Sequence, residues 1–366
     1  MINVPLSYNE IDADALARIL KSFAGRHHEE IVKEFENQLS RKTGASHALA
    51  VQSGTAAMHL ALQVAGVKSG DVVIAPTFAY VATISPATYL GARLVLVDSE
   101  LETWNMDPSL TKEAINGELS KGNRVAAIVV VHNYGMPARM EELVTLSKEF
   151  NVPLIEDAAE SFGSQYNGRW TGTLGDLGVF SFNSNKSVTA FGGGALVSSR
   201  NEWVNHARYL SSHARSEVPY YLHEVVGYNY RMSPLTAAYG LVQLENSVSA
   251  LERRRDLYHS YHQLGESLGL NFQRNSPNVD FQPWLAACLL PDGMDPALVL
   301  ERLGQEGMEG RRLWKPMHTQ PAFKKSTIVG GQASELLFAR GLCLPAGSSS
   351  GYPPQVSRVI DLILNS

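Results

Sequence analysis

The chain has 366 residues, 44% hydrophobic and 18% charged, more than one compact domain ordinarily holds, so one large and one smaller domain are expected. A formal net charge of −5 leaves no basic excess to neutralise a phosphate backbone, which argues against a nucleic-acid partner while allowing a local cationic pocket. The N-terminal stretch MINVPLSYNEIDADALARIL has no basic segment followed by an apolar core, and no apolar run reaches the roughly 18 residues of a membrane span. A cytoplasmic protein with no membrane partner is expected.

Along the chain, an amphipathic helix is expected over 29–41, leading into a short apolar run at 48–51. Strand-length apolar runs follow at 72–75, 94–97, 125–131, 153–155, 179–182 and 195–197. Between them lie helical patterns such as 137–150, where Met140, Leu143, Val144 and Leu146 recur at helical spacing. Continuous Val/Ile/Leu runs suit strands buried on both faces, and their alternation with helices is the pattern of an α/β layer fold. From about Leu241 a long helical pattern leads away, followed by a Pro-rich stretch, short apolar runs and the helix-like QVSRVIDLIL. A domain change is therefore expected near residue 240, dividing the chain into 1–240 and 241–366. Cys288 and Cys343 lie in the apolar runs 285–290 and 342–344, without CxxC or mixed Cys/His spacing. They are expected to be buried thiols in a reducing compartment, with no metal site.

Three segments carry chemistry. Ser53-Gly54-Thr55-Ala56-Ala57 is a small-residue turn opening a helix, so it either caps that helix or offers backbone N–H groups to a phosphate. Asp157, in Ile155-Glu156-Asp157-Ala158-Ala159-Glu160, leaves the carboxyl end of an apolar strand, where ligands gather in open α/β sheets; a helix cap is the competing reading. Lys186 sits in a polar turn between the strand Gly178-Val179-Phe180-Ser181-Phe182 and the run Gly192-Gly193-Gly194. Desolvation there would lower its pKa and let it form a Schiff base with an aldehyde, against the reading of a solvated surface lysine. The three glycines lack the spacing of a GxGxxG dinucleotide turn.

Taken together and in order, SGTAAMHLAL, IEDAAES, FSFNSNKSVTAFGGGALVS, GYNYRMSPLTAAYGLVQLE and LWKPMHTQPAF resemble the DegT/DnrJ/EryC1/StrS family of nucleotide-sugar aminotransferases, from about residue 29 to the C-terminus. The resemblance implies the fold type I of pyridoxal 5'-phosphate (PLP) enzymes: a mainly parallel central sheet with helices on both faces, plus a smaller C-terminal α/β domain. It also implies a homodimer with shared active sites, L-glutamate as amino donor and a nucleotide-linked ketosugar as acceptor.

By that resemblance Lys186 matches the lysine that carries the cofactor, and Asp157 the partner of its pyridine nitrogen, where a carboxylate keeps the ring protonated. Gly54 and Thr55 match the phosphate-binding turn, and Ser181 the hydroxyl on the same phosphate. Tyr80 matches the aromatic that stacks on the ring, although residue type alone would put it in the core. Glu160 falls near the ring hydroxyl, and Asn229 matches an asparagine reaching the phosphate in the neighbouring subunit. Lys315 and His318 match a segment near the nucleotide-sugar, with a surface loop as the other reading of Lys315. His132 and Tyr134 are expected to shape the pocket, with a core histidine as the other reading of His132. Many members carry a Gly-Pro-containing stretch where this chain has 24–29, Ala-Gly-Arg-His-His-Glu, which bears on the sugar accepted. NSNK followed by GGG most resembles members that aminate C4 of UDP-linked 4-keto-6-deoxy-N-acetylhexosamines, while related sequences aminate dTDP- or GDP-linked 3- or 4-ketosugars. Relatives that cleave a sugar C–O bond replace the lysine with histidine, and a non-catalytic sensor or scaffold would be expected to lose Lys186, Asp157 or the phosphate turn. This chain keeps all of them.

Overall fold

The computed structural model describes residues 4–7, 12–25, 27, 29–346 and 355–364; the 24–29 departure therefore lies partly outside the described residues. In chain order the strands are β1 (His47–Val51), β2 (Val72–Pro76), β3 (Arg93–Val97), β4 (Val125–Val131), β5 (Leu154–Asp157), β6 (Gln165–Tyr166), β7 (Arg169–Trp170), β8 (Leu177–Ser181), β9 (Gly194–Ser198), β10 (Val279–Asp280), β11 (Ala286–Leu289), β12 (Arg311–Arg312), β13 (Thr327–Val329) and β14 (Gly341–Leu344). Eight form one sheet in the order β1-β9-β8-β5-β4-β2-β3-β13. All neighbours in it are parallel except β9, which runs against both β1 and β8. Two small antiparallel sheets, β10-β6-β7 and β11-β14-β12, complete the fold.

The unbroken apolar runs divide by strand alternation between the two faces of the large sheet. Val73, Ala75, Ala127 and Val129 join one core with the helix Gly54–Val64, while Val72, Ile74, Ile128 and Val130 join another under the helices Pro108–Ser120 and Met140–Phe150. Every residue of β4 is buried, and each fully buried Val or Ile contributes about 1.5–3 kcal/mol over an exposed one. This two-sided burial holds the carboxyl ends of β2, β4, β5 and β8 in one row.

Two features differ from the sequence expectation. The long pattern after Leu241 is two helices, Pro234–Glu245 and Ser247–Glu266, broken at Asn246. Pro234 starts the first, capped by the Ser233 hydroxyl, and Gly240 lets it approach the helix Glu29–Thr43, since a Cβ there would lie 2.6 Å from the Phe35 ring. The second is β13, which returns from the C-terminal region to pair with β3. Cys288 and Cys343 sit buried and free on β11 and β14, and burial pushes the Cys288 thiol up to about 12. No helix among the described residues is long and apolar enough to cross a membrane, and none of their His/Cys/Asp/Glu clusters could hold a metal ion.

Candidate active site

The carboxyl end of β5 delivers Asp157, which is 7% exposed. Its Oδ2 accepts from the Thr83 hydroxyl at 2.7 Å and its Oδ1 from the Ala159 N–H at 3.0 Å. The carboxylate is thus fixed in direction. Glu160, three residues on, accepts the Tyr134 N–H at 2.8 Å.

Beyond β8, the chain makes a turn closed by the Lys186 N–H on the Asn183 carbonyl at 3.0 Å, and Ala190 N–H returns to the Phe182 carbonyl at 2.8 Å. Lys186, with a side chain only 12% exposed, points its Nζ to within 4.0 Å of Glu160 Oε1. Burial pulls the amine below the ordinary lysine value, while Glu160 and Asp157 pull it back up. Burial likewise pushes the Glu160 carboxyl up to about 7, with Lys186 opposing. An amine whose charged form burial disfavours, facing a carboxyl raised to about 7, suits proton transfer at a reacting carbon.

Ser53 does cap the helix Gly54–Val64, its hydroxyl accepting from Ala56 N–H at 3.0 Å. The capping and phosphate readings are therefore compatible, because the first N–H groups of that helix have no intrahelical acceptor. A Cβ on Gly54 would come within 3.0 Å of Ser181 Cβ, so this turn and the end of β8 are pressed together. The glycines after the lysine explain that closeness. Gly193 has φ +89°, and a Cβ on Gly194 would lie 2.4 Å from the Gly54 nitrogen.

Tyr134, fully buried with φ 57°, stacks on Trp314 at 5.8 Å and receives the Trp314 backbone N–H on its hydroxyl at 2.9 Å. Trp314 also meets Tyr80, which is 51% exposed, at 5.3 Å. Tyr80 is thus a surface-facing ring at the site rather than core. Tyr134, Trp284, Trp314, Asn185, Leu6 and Arg312 border a cavity of about 170 Å³.

The side chains of four predicted residues make none of the contacts above. His132 is fully buried, its Nε2 3.0 Å from Glu156 Oε2 and its Nδ1 accepting the Ala138 N–H at 3.1 Å. Its burial and its two engaged ring nitrogens match the core-histidine reading. His318 is held between the Thr77 hydroxyl at 2.7 Å and Glu335 at 3.0 Å, while Lys315 is exposed beside it. Asn229 is exposed and bridges to Ser212.

Sequence reasoning missed Thr83, Asn185, Trp284 and Trp314. Asn185 and Trp314 adjoin lysines within the quoted motifs, and Thr83 follows Tyr80 in the same segment. Trp284 carries no such local sign; it reaches the lysine turn from 99 residues away.

These groups fit PLP. A fixed carboxylate, a buried amine of lowered pKa and a glycine-made turn at a helix N-terminus answer its ring nitrogen, its aldehyde and its phosphate. Residues 7–363 match the model of the DegT/DnrJ/EryC1/StrS aminotransferase family. The chain is 41% identical over 340 residues to EpsN of Bacillus subtilis (strain 168), named as a pyridoxal phosphate-dependent aminotransferase, covering 92% of this chain and 87% of that protein. It is 34% identical over 315 residues to the GDP-perosamine synthase of Escherichia coli O157:H7, covering 86% and 84%. Its fold matches the crystal structure of DesV from S. venezuelae with a TM-score of 0.85 at 29% identity, over 96% and 93% of the two chains.

Proposed function

The chain belongs to the DegT/DnrJ/EryC1/StrS aminotransferase family, and from that premise we propose that it moves an amino group from L-glutamate to the keto group of a nucleotide-linked sugar, with PLP held at Lys186. The observation that carries the reading is the buried Lys186 amine 4.0 Å from Glu160, beside an Asp157 carboxylate fixed by Thr83.

When bound, PLP supplies an aldehyde that captures amines and a protonated ring that accepts electrons from the carbon being deprotonated. Asp157 would hold the proton on the ring nitrogen. Lys186, released once glutamate takes its place, would lift the proton from the glutamate Cα, deliver it to the cofactor, and run the same transfer in reverse on the sugar. Gly54, Thr55 and Ser181 would hold the phosphate, Glu160 would lie by the ring hydroxyl and Tyr80 over the ring face. Tyr134 and Trp314, stacked at 5.8 Å, would wall the pocket for the acceptor.

For the acceptor, the NSNK and GGG segments support a UDP-linked 4-keto-6-deoxy-N-acetylhexosamine aminated at C4. The similarity to a GDP-perosamine synthase favours a GDP-linked ketosugar as the second reading. Lys315 and His318 would lie toward the nucleotide. The exposed Asn229 is proposed to complete the site of a second subunit in a homodimer, with 1–240 as the cofactor domain and 241–366 as the smaller one.

The test is the absorbance of PLP-loaded protein, treated with glutamate, freed of excess donor, then offered UDP-, dTDP- and GDP-linked ketosugars in turn. Bleaching by glutamate and recovery with one ketosugar support the proposal and identify the acceptor. A wild type that behaves like Lys186→Ala would overturn it.

A further inference from the structure

The Lys186 amine rests on an aromatic face. Nζ lies 3.9 Å from the centre of the Trp284 ring, and Trp284 is itself only 4% exposed, so the contact is largely withdrawn from bulk solvent. The same indole donates from Nε1 to the carbonyl of Asn185, the residue before the lysine, at 2.8 Å. That carbonyl also accepts the Ser7 hydroxyl at 2.9 Å. Arg254, on the helix Ser247–Glu266, donates to the Trp284 carbonyl at 2.9 Å and to Ser7 Oγ at 3.1 Å. Trp284 is therefore fastened to Arg254 through its backbone and meets the lysine turn at two points, the π face at the amine and the N–H at the carbonyl.

We propose that Trp284 is a positioning residue for the reactive lysine: its ring holds the protonated Lys186 amine whenever that amine is not bonded to the cofactor, and its indole N–H fixes the turn that delivers it. The proposal rests on the reading of Lys186 as the cofactor lysine.

The physical reason is that a Trp face attracts a cation most strongly where water is excluded. Once displaced by the amino donor, a lysine side chain would otherwise sample several rotamers, and proton transfer needs the amine within reach of one carbon. A ring on one side and Glu160 on the other define a single resting place. The attraction acts only on the ammonium form, so it raises the pKa of Lys186, in the same direction as Glu160 and Asp157 and against burial. Among positive charges, Arg254 lies behind the ring on the helix, and Arg311 and Arg312 on β12 line the same cavity. Tyr134 and Cys343, neutral with thiol and hydroxyl pushed upward by burial, complete the cavity's titratable lining with Glu309.

The test is the amine pKa of Lys186 in cofactor-free protein, from competitive acetylation across pH read on the Lys186 peptide by mass spectrometry. Trp284→Leu is expected to lower that pKa by about one unit, and Trp284→Phe, which keeps a ring, to retain most of the wild-type value. Trp284→Met gives the same comparison if the Leu variant does not fold. An unchanged pKa in the folded non-aromatic variant, or equal shifts in Phe and Leu, overturns the proposal, because a merely structural wall would alter stability without moving the amine. Borohydride reduction of the PLP-loaded wild type separates the two readings. An adduct on Lys186 upholds the cofactor lysine whatever the pKa does, and its absence removes the premise.

Discussion

The Thr83 hydroxyl donates to Asp157 Oδ2 at 2.7 Å from a 3-10 turn three residues beyond Tyr80, so the segment that supplies the site's exposed ring also aims its carboxylate. Both partners are buried, Thr83 at 1% exposure. A hydrogen bond to a charged group contributes about 1.5–3 kcal/mol, and 1.4 kcal/mol is a factor of ten. Thr83→Val, nearly isosteric, is therefore expected to weaken PLP retention at least tenfold, with Thr83→Ser close to wild type. Equilibrium dialysis of the loaded proteins checks this; equal retention in Val and wild type would show that Ala159 N–H alone orients Asp157.

What the sequence made legible is what lies close along the chain. The strands at 72–75 and 125–131 were visible because two-sided burial writes an unbroken apolar run, and Asp157 and Lys186 because each follows such a run directly. The three-residue β13 was not, since Thr327–Val329 is an edge strand defined by its pairing with β3 rather than by its own pattern. The break at Asn246 was hidden because no Pro or Gly marks it: Asn246 ends one helix and the next begins at Ser247. Trp284 was hidden for a different reason. Its role comes from contacts with Lys186 and Asn185, and nothing in FQPWLAACLL distinguishes it from a core tryptophan.

His132 tests the difference between a pocket residue and a core one. Its Nε2 faces Glu156, and Glu156 also accepts the backbone N–H groups of Gly172, Leu174 and Gly175. His132→Leu would leave that carboxylate held by backbone donors but short of one partner, and the Ala138 N–H without an acceptor. A loss of about 2–4 kcal/mol in denaturant unfolding is expected, with KM for both substrates unchanged in the folded fraction. A raised KM with unaltered stability would return His132 to the pocket.

Glu160 gives the protein a pH dependence of definite sign. Burial raises its carboxyl from the ordinary 4.5 to about 7, so the folded state favours the protonated form. The stability this contributes is fully present below about pH 4.5 and is lost as pH rises through 7. Above that, the buried carboxylate costs on the order of 3 kcal/mol relative to a neutral side chain. Cofactor-free Glu160→Gln should therefore unfold at a higher temperature than wild type at pH 8 and at the same temperature near pH 4.5. A constant difference across that range would mean that Glu160 does not titrate there.

The glycines after the lysine separate backbone need from chance. A Cβ on Gly194 would sit 2.4 Å from both the Gly54 nitrogen and the Ser53 carbonyl carbon, backbone atoms that cannot turn aside, whereas one on Gly192 would meet nothing within 4 Å and Gly192 has no left-handed φ. Gly194→Ala must push β9 away from the turn proposed to hold the phosphate. Overpacking of this kind costs about 1–3 kcal/mol, and because the strain falls on Ser53 and Gly54, PLP retention should drop more steeply than stability. Gly192→Ala should leave both untouched. Measuring melting temperature with and without PLP for the two variants decides the matter: the cofactor-induced rise should shrink in Gly194→Ala alone. If it stays full there, the turn at Ser53 does not carry the phosphate, since β9 cannot keep its pairing with β1 and β8 and accommodate that methyl group without moving it.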